Sequence, residues 1–350
     1  MSSVAEKAAE YIRSYQGRPI RIMEVCGTHT HEIFRQGIRR MLPESVHLIS
    51  GPGCPVCVTP IDYIDEALFL AKEKHVTICT FGDLVRVPGT EENLQDVRAE
   101  GAKVRMVYSP MDALAYAEKH PEEDVVFLSV GFETTTPPSA ISVREADARG
   151  VRNYAVLTAN KTMDQAYRAL RDSADAFLYP GHVSTITGTG IYQELKSEGI
   201  SGVVTGFTGA ELLTAIAVSL KKMEDGKPFF VNCYPRVVTE EGSPSGRAII
   251  NSVMEPIDSE WRGIGVIPKS GLKLRDRYEA FDARKKYSIP NIQGHADPRC
   301  RCGEVLKGEC TPNQCPVFGR ACTPEHPVGA CMVSNEGACA AWFRYGRDFR

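Results

Sequence analysis

Short apolar runs rich in β-branched residues alternate along the chain with longer stretches whose apolar positions recur every three to four residues. PIRIMEV (19–25), SVHLIS (45–50), HVTICTF (75–81), KVRMVY (103–108) and DVVFLSV (124–130) are of the first kind, and IDYIDEALFLAKEKH (61–75) is of the second. The short runs predict strands and the long ones amphipathic helices. The rhythm resumes with NYAVLTA (153–159), DAFLYPG (175–181) and GVVTGF (202–207), separated by MDQAYRALRDSA and ELLTAIAVSLKKMEDG. Strand–helix alternation at this spacing predicts parallel sheets covered by helices. The expected fold class is α/β, with two Rossmann-like parallel-sheet units in series over residues 1–135 and 136–262. From about residue 235 the alternation fades into the loop TEEGSPSGR, then WRGIGVIPKSGLKL, then a Pro-, Gly- and Cys-rich tail. That tail, taken as a third, mostly helical or irregular domain over 263–350, buries too little apolar surface to stand alone. It needs a cross-link or an inorganic core.

Composition excludes several classes. The 350 residues are 43% hydrophobic and 24% charged, ordinary for a globular chain, with a net charge of -3. Nothing in that balance points to nucleic acid, and no basic block suggests an anionic membrane. The longest strongly apolar stretch, LLTAIAVSL (212–220), is far too short to span a bilayer. The opening MSSVAEKAAEYIRSYQG has the pattern of an amphipathic helix and lacks the apolar core of a signal peptide. A cytoplasmic setting is expected, where thiols are kept reduced.

Twelve cysteines change the picture. In a reducing compartment they are metal ligands, cluster ligands or redox thiols before they are staples. Cys79 and Cys233 sit alone in apolar runs and are expected to be small buried hydrophobes. Cys26, Cys54 and Cys57 lie early. Cys300, Cys302, Cys310, Cys315, Cys322, Cys331 and Cys339 crowd the tail.

The polar motifs share an address. CGTHTHE (26–32), GPGCPVC (51–57), GFETTTP (131–137) and PGHVS (180–184) each follow a predicted strand and precede a helix. Ligands bind at that edge of a parallel sheet, because helix amino termini point there. The four motifs should converge on one crevice or on two facing ones. Cys26 precedes a helix with Thr28 or Thr30 as its cap, which favours the thiolate. His29 and His31, two apart, face different ways on that helix. Glu133 and His182 are strand-end polar groups suited to proton transfer or to structural hydrogen bonding. Cys54 and Cys57 fit a zinc clamp, a staple or a redox pair; no second pair nearby completes a zinc site, and C-x-x-C before a helix suits a cycling dithiol. Seven tail cysteines with uneven gaps suit an iron–sulfur cluster fed by separate loops, with structural zinc as the other reading.

The ordered series CGTHTH, GPGCPVCVTP, GFETTTP, PGHVS, WRGIG with SGL, and CPVFGRACTPEHPVGACMVSNEGACAAW resembles the HypD family, iron–sulfur proteins that help build the active site of [NiFe] hydrogenases. The family pattern C-x14-C-x6-C-x16-C falls on Cys300, Cys315, Cys322 and Cys339, which the resemblance implies are [4Fe–4S] ligands, with Cys302, Cys310 and Cys331 outside the set. It implies that Cys26 holds an iron jointly with a HypC-type small chaperone. Cys54 and Cys57 become a thiol–disulfide couple near the cluster. The implied function is a scaffold for a transient mononuclear Fe(CN)2CO unit, with a HypE-type partner delivering cyanide and with His29, Glu133 and His182 as supporting groups. One departure stands out: GFTGAE (206–211) carries Thr208 where the family commonly has Glu, so a role for that carboxylate requires Glu211, one turn on, to substitute for it. Two competing readings are a generic iron–sulfur thiol–disulfide oxidoreductase and a structural zinc module.

Overall fold

The computed structural model describes residues 3–346. Each of the eight expected runs forms a strand: Ile20–Glu24 (β1), Val46–Ser50 (β2), Thr77–Thr80 (β3), Val104–Met106 (β4), Val125–Gly131 (β5), Tyr154–Asn160 (β6), Ala176–Pro180 (β7) and Gly202–Thr205 (β8). A ninth, Phe230–Asn232 (β9), extends the series, and Met254–Trp261 (β10) pairs antiparallel with Gly265–Leu274 (β11). Helices lie between successive strands from β1 to β10, and several begin at side-chain caps. Ser109 and Asp112 close one capping box, and Thr208 and Glu211 another, each satisfying amide groups that a helix start leaves free.

The strands form two parallel sheets, ordered β2-β1-β7-β8-β9 and β4-β3-β5-β6. Two α/β units are therefore present, but they interleave along the chain instead of following one another. β1 and β2 belong with strands from the chain's second half, while β3 to β6 build the other sheet. Periodicity does not reveal this. Strands covered on both faces look alike, and long crossovers decide their neighbours. The consequence for function is direct: β2, β1 and β7 stand side by side, so the loops that leave them open together at one carboxyl edge.

The tail is not an appendage. Cys315, Val317, Cys322, Cys331, Met332 and Cys339 share one buried cluster with Cys54, Cys57, Val58, Phe132 and Trp261. Trp261 is fully buried, stacks on Phe132 at 5.8 Å, and donates its indole N–H to Ser270 Oγ at 2.8 Å. That bond explains why WRGIG and SGL belong together: it pins β10 to β11 beneath the tail. Further ties come from Arg86, which donates to the carbonyls of Pro324 and Val333, and from Phe34 edge-on to Trp342 at 5.6 Å.

A buried polar knot sets the ends of β1 and β2. Glu24 accepts from Arg39 at 2.5 Å and from Ser50 Oγ at 2.7 Å, and Arg39 also donates to Leu48 O. Burial pushes the Glu24 carboxyl up, against the Arg39 guanidinium that draws it down. Removing the cation strands a buried carboxylate. Arg39→Met should cost about 3–5 kcal/mol at pH 7.5, and less at pH 5.5, where Glu24 can take a proton. Urea unfolding at the two pH values checks this; an equal loss at both would contradict it.

Candidate thiol and metal centre

Cys26 is itself the amino-terminal cap of the helix Gly27–Arg35, in extended conformation. Thr28 and Thr30, expected as caps, lie inside that helix, where Thr28 Oγ1 donates to Glu336 at 2.7 Å and Thr30 Oγ1 to Cys26 O at 3.3 Å. The helix start does not lower the thiol: burial pushes Cys26 up to about 11, although the His29 and Thr28 N–H groups act the other way. Desolvation outweighs the amide donors here. Such a sulfur stays protonated until a cation takes its place beside it.

The GPGC loop comes to Cys26 by backbone. Gly27 N–H donates to Gly53 O at 3.2 Å, and a Cβ at residue 53 would lie 2.1 Å from Cys26 N. Only glycine allows that approach. Cys57 N–H closes a turn on Cys54 O at 3.1 Å, so the two thiols meet. Their mutual hydrogen bond holds Cys54 below the ordinary thiol range, while Cys57 is raised, first by its hydrogen bond to Cys331 and then by Cys54. Cys331 in turn engages Cys302 and Cys339, and Cys302 lies 3.3 Å from Cys300. Each sulfur thus acts on the next, from Cys54 through Cys57, Cys331 and Cys302 to Cys300.

The histidines sit on the other flank of Cys26. Phe207 stacks against the exposed His182 at 3.8 Å and lies 5.0 Å from the buried His29. Burial lowers His29 to about 4, so its ring is neutral. His31 turns away and meets Tyr345 edge-on at 5.4 Å. Glu211 is engaged within its own loop and helix start. Its carboxylate accepts from Phe207 N, Thr208 N and Thr208 Oγ1, and pairs with Arg236 at 2.8 Å, so it fixes the loop that carries Phe207. Glu133 lies at the edge of the other sheet, at the end of β5. It accepts from Met163 N–H at 2.8 Å, and the groups that act on it are Met163 and Asp164, not the sulfurs.

A family model described as the hydrogenase formation hypA family, HypD, matches residues 3–346. The chain belongs to the HypD family. It is 46% identical over 334 residues to the hydrogenase maturation factor HypD of Escherichia coli strain K12, covering 94% of this chain and 90% of that one. It is 41% identical over 343 residues to the hydrogenase maturation factor HypD of Azotobacter vinelandii, covering 95% and 90%. The HupD hydrogenase expression/formation protein of Azotobacter chroococcum matches equally, at 41% over 343 residues.

For a HypD chain, the tail's donors suit a cluster. Cys322 Sγ receives the Val328 N–H at 3.4 Å, with the Gly329 N–H also acting on it, the kind of donor that stabilises cluster thiolates. Arg262 places positive charge by Cys300. A Cβ at Gly329 would sit 2.4 Å from Cys302 Sγ and 2.7 Å from Cys300 Sγ, so the bare glycine leaves those sulfurs their space. Cys302, Cys331 and Cys339 also act on one another pairwise. Cys79 is fully buried and Cys233 partly so, both against apolar neighbours.

Sequence reasoning missed two things in this HypD fold. Cys302 and Cys331 had been left outside the ligand set, yet they bridge the C-x-x-C pair to the tail; uneven Cys spacing carries no sign of that. Glu336 acts on Cys26, Cys54 and His182 at once, and no motif marks a lone acid in a loop. A pH prediction follows from Glu133. Burial pushes its carboxyl up to about 8 from an ordinary 4.5, so the folded chain holds a proton that the unfolded chain has released between those values. Its contribution to stability is whole below pH 4.5 and falls as pH rises toward 8, by up to about 1.4 kcal/mol per unit. Glu133→Gln should therefore gain stability relative to wild type from pH 5.5 to 7.5 in urea unfolding; parallel curves would contradict it.

Proposed function

We propose that this chain is the scaffold, shared with a HypC-type small chaperone in the cytoplasm, on which the Fe(CN)2CO unit of [NiFe] hydrogenases is assembled, a HypE-type partner delivering the cyanide. The observation that carries the proposal is the run of interacting sulfurs from Cys54 to Cys300, which starts where the loop backbone rests on Cys26. Iron is cargo at Cys26: the buried thiol loses its proton to the incoming cation, and the chaperone completes the coordination. His182, exposed and beside Glu336, is the group placed to hydrogen-bond a cyanide nitrogen or pass a proton, while neutral His29 holds Phe207 beneath it.

Cys54 and Cys57 act as a two-electron store. Forming their disulfide releases two electrons and two protons to the ligand-attachment step. The thiols regenerate by exchange. Cys331 attacks Cys57, freeing Cys54; Cys302 then attacks Cys331, freeing Cys57 and leaving a Cys302–Cys331 disulfide deeper in the tail. The residues that would hold a [4Fe–4S] cluster are Cys300, Cys315, Cys322 and Cys339, and the cluster, when bound, would supply the single electrons that, with two protons, return that disulfide to two thiols. A general thiol oxidoreductase fits less well, because Cys54 and Cys57 are only 4% and 2% exposed, closed to a bulky disulfide substrate.

The test is infrared spectroscopy and iron analysis on the anaerobically purified chain with its small chaperone. Wild type should show bands of metal-bound cyanide and carbon monoxide together with iron beyond that of the cluster. Cys26→Ala should lose both at least tenfold and keep the cluster's visible absorbance. Ligand bands that persist in Cys26→Ala would overturn the assignment.

A further inference from the structure

The carboxyl edge of the other sheet, at the ends of β5 and β6, holds a second feature that the sulfur chemistry does not use. A cavity of about 350 Å³ lies there, lined by Glu133, Met163, Tyr167, Tyr192, Ile191 and Arg247 among others. Its size falls in the range of small-molecule sites. Most of its wall is apolar, yet two buried polar atoms of lining residues have no hydrogen-bond partner: Glu133 Oε2 and Tyr167 Oη. Glu133 is 8% exposed and Tyr167 1%. Their neighbours are already committed. Glu133 Oε1 accepts from Met163 N–H, and Tyr192 Oη is bound to Ser184 Oγ at 2.7 Å. Arg247 donates to the carbonyls of Ile186, Thr187 and Glu241. Tyr167 Oη makes no close hydrogen bond, although the Tyr192 hydroxyl lies near enough for the two phenols to act on each other.

An orphaned buried polar group costs stability unless something satisfies it. Two of them on one apolar cavity call for a single guest. The geometry points to a binding site for a mostly apolar small molecule whose carbonyl or phenol oxygen accepts hydrogen bonds from the Glu133 carboxyl and the Tyr167 hydroxyl. The protonation state agrees, since burial pushes Glu133 up to about 8 and keeps it a neutral donor at pH 7. A protonated acid paired with a tyrosine in an apolar pocket is an established way to hold such an oxygen. The site lies on the face of the helix Gly181–Thr187 that carries Val183, Ile186 and Thr187, whereas His182 on the same helix stacks with Phe207 beside Cys26. An occupant would thus press on the helix that presents His182.

The probe is 2-naphthol, whose fluorescence reports a hydrogen-bonded phenol, titrated into the full-length, cluster-loaded chain. Saturable binding of one molecule per chain is expected, weakened about tenfold in Tyr167→Phe, which removes one hydrogen bond without changing the fold. Ile191→Trp, at a partly exposed wall position that tolerates bulk, should abolish it. Far-UV circular dichroism confirms that both variants are folded. No saturable binding to wild type, or wild-type affinity in either folded variant, would overturn the proposal.

Discussion

The backbone of Gly53 lies against the backbone of Cys26, closer than any side chain at 53 would permit. From that contact the rest of the centre is built. It brings the C-x-x-C turn under the helix that Cys26 caps, and turns Cys57 inward to meet Cys331. The tail has little apolar surface of its own, so it folds by joining the cluster that already holds Cys54, Cys57 and Trp261. The buried Glu24–Arg39–Ser50 knot serves the same end from below, since it fixes the two strand ends from which both loops depart.

Two sheets give two edges, and the motifs divide between them. CGTHTH, GPGCPVC and PGHVS leave β1, β2 and β7, which are neighbours in one sheet; GFETTTP leaves β5 in the other. Chemistry divides likewise. One edge collects sulfur, histidine and the exposed Glu336; the other carries a neutral acid and phenols in an apolar cavity. The helix Gly181–Thr187 stands between, with His182 toward the first and Val183 and Ile186 toward the second.

Much of this was legible in the sequence. Strand runs were legible because buried β-branched segments differ from helical periodicity, and the motif address was legible because strand–loop–helix order is local. Sheet membership was not, because β1 pairs with β7, Ile22 opposite Ala176, by crossovers that leave no local trace. The Cys26 thiol was expected to be lowered by its helix and is instead raised, because sequence shows the helix start but not the depth of burial. Glu211 was offered as a stand-in for a missing acid at 208, and the capping box shows it occupied with its own helix. Cys302 and Cys331 became visible as connectors only when contacts between distant loops were in place.

Continuity of sulfur between the early loop and the tail is the claim on which the redox function depends. Disulfide mapping by mass spectrometry tests it most directly, after mild oxidation of a Cys54→Ser, Cys302→Ser double variant, in which Cys57 and Cys331 each lose one exchange partner. A disulfide joining Cys57 to Cys331 is expected as the main product. A free Cys57 thiol, with Cys331 paired elsewhere in the tail, would contradict it.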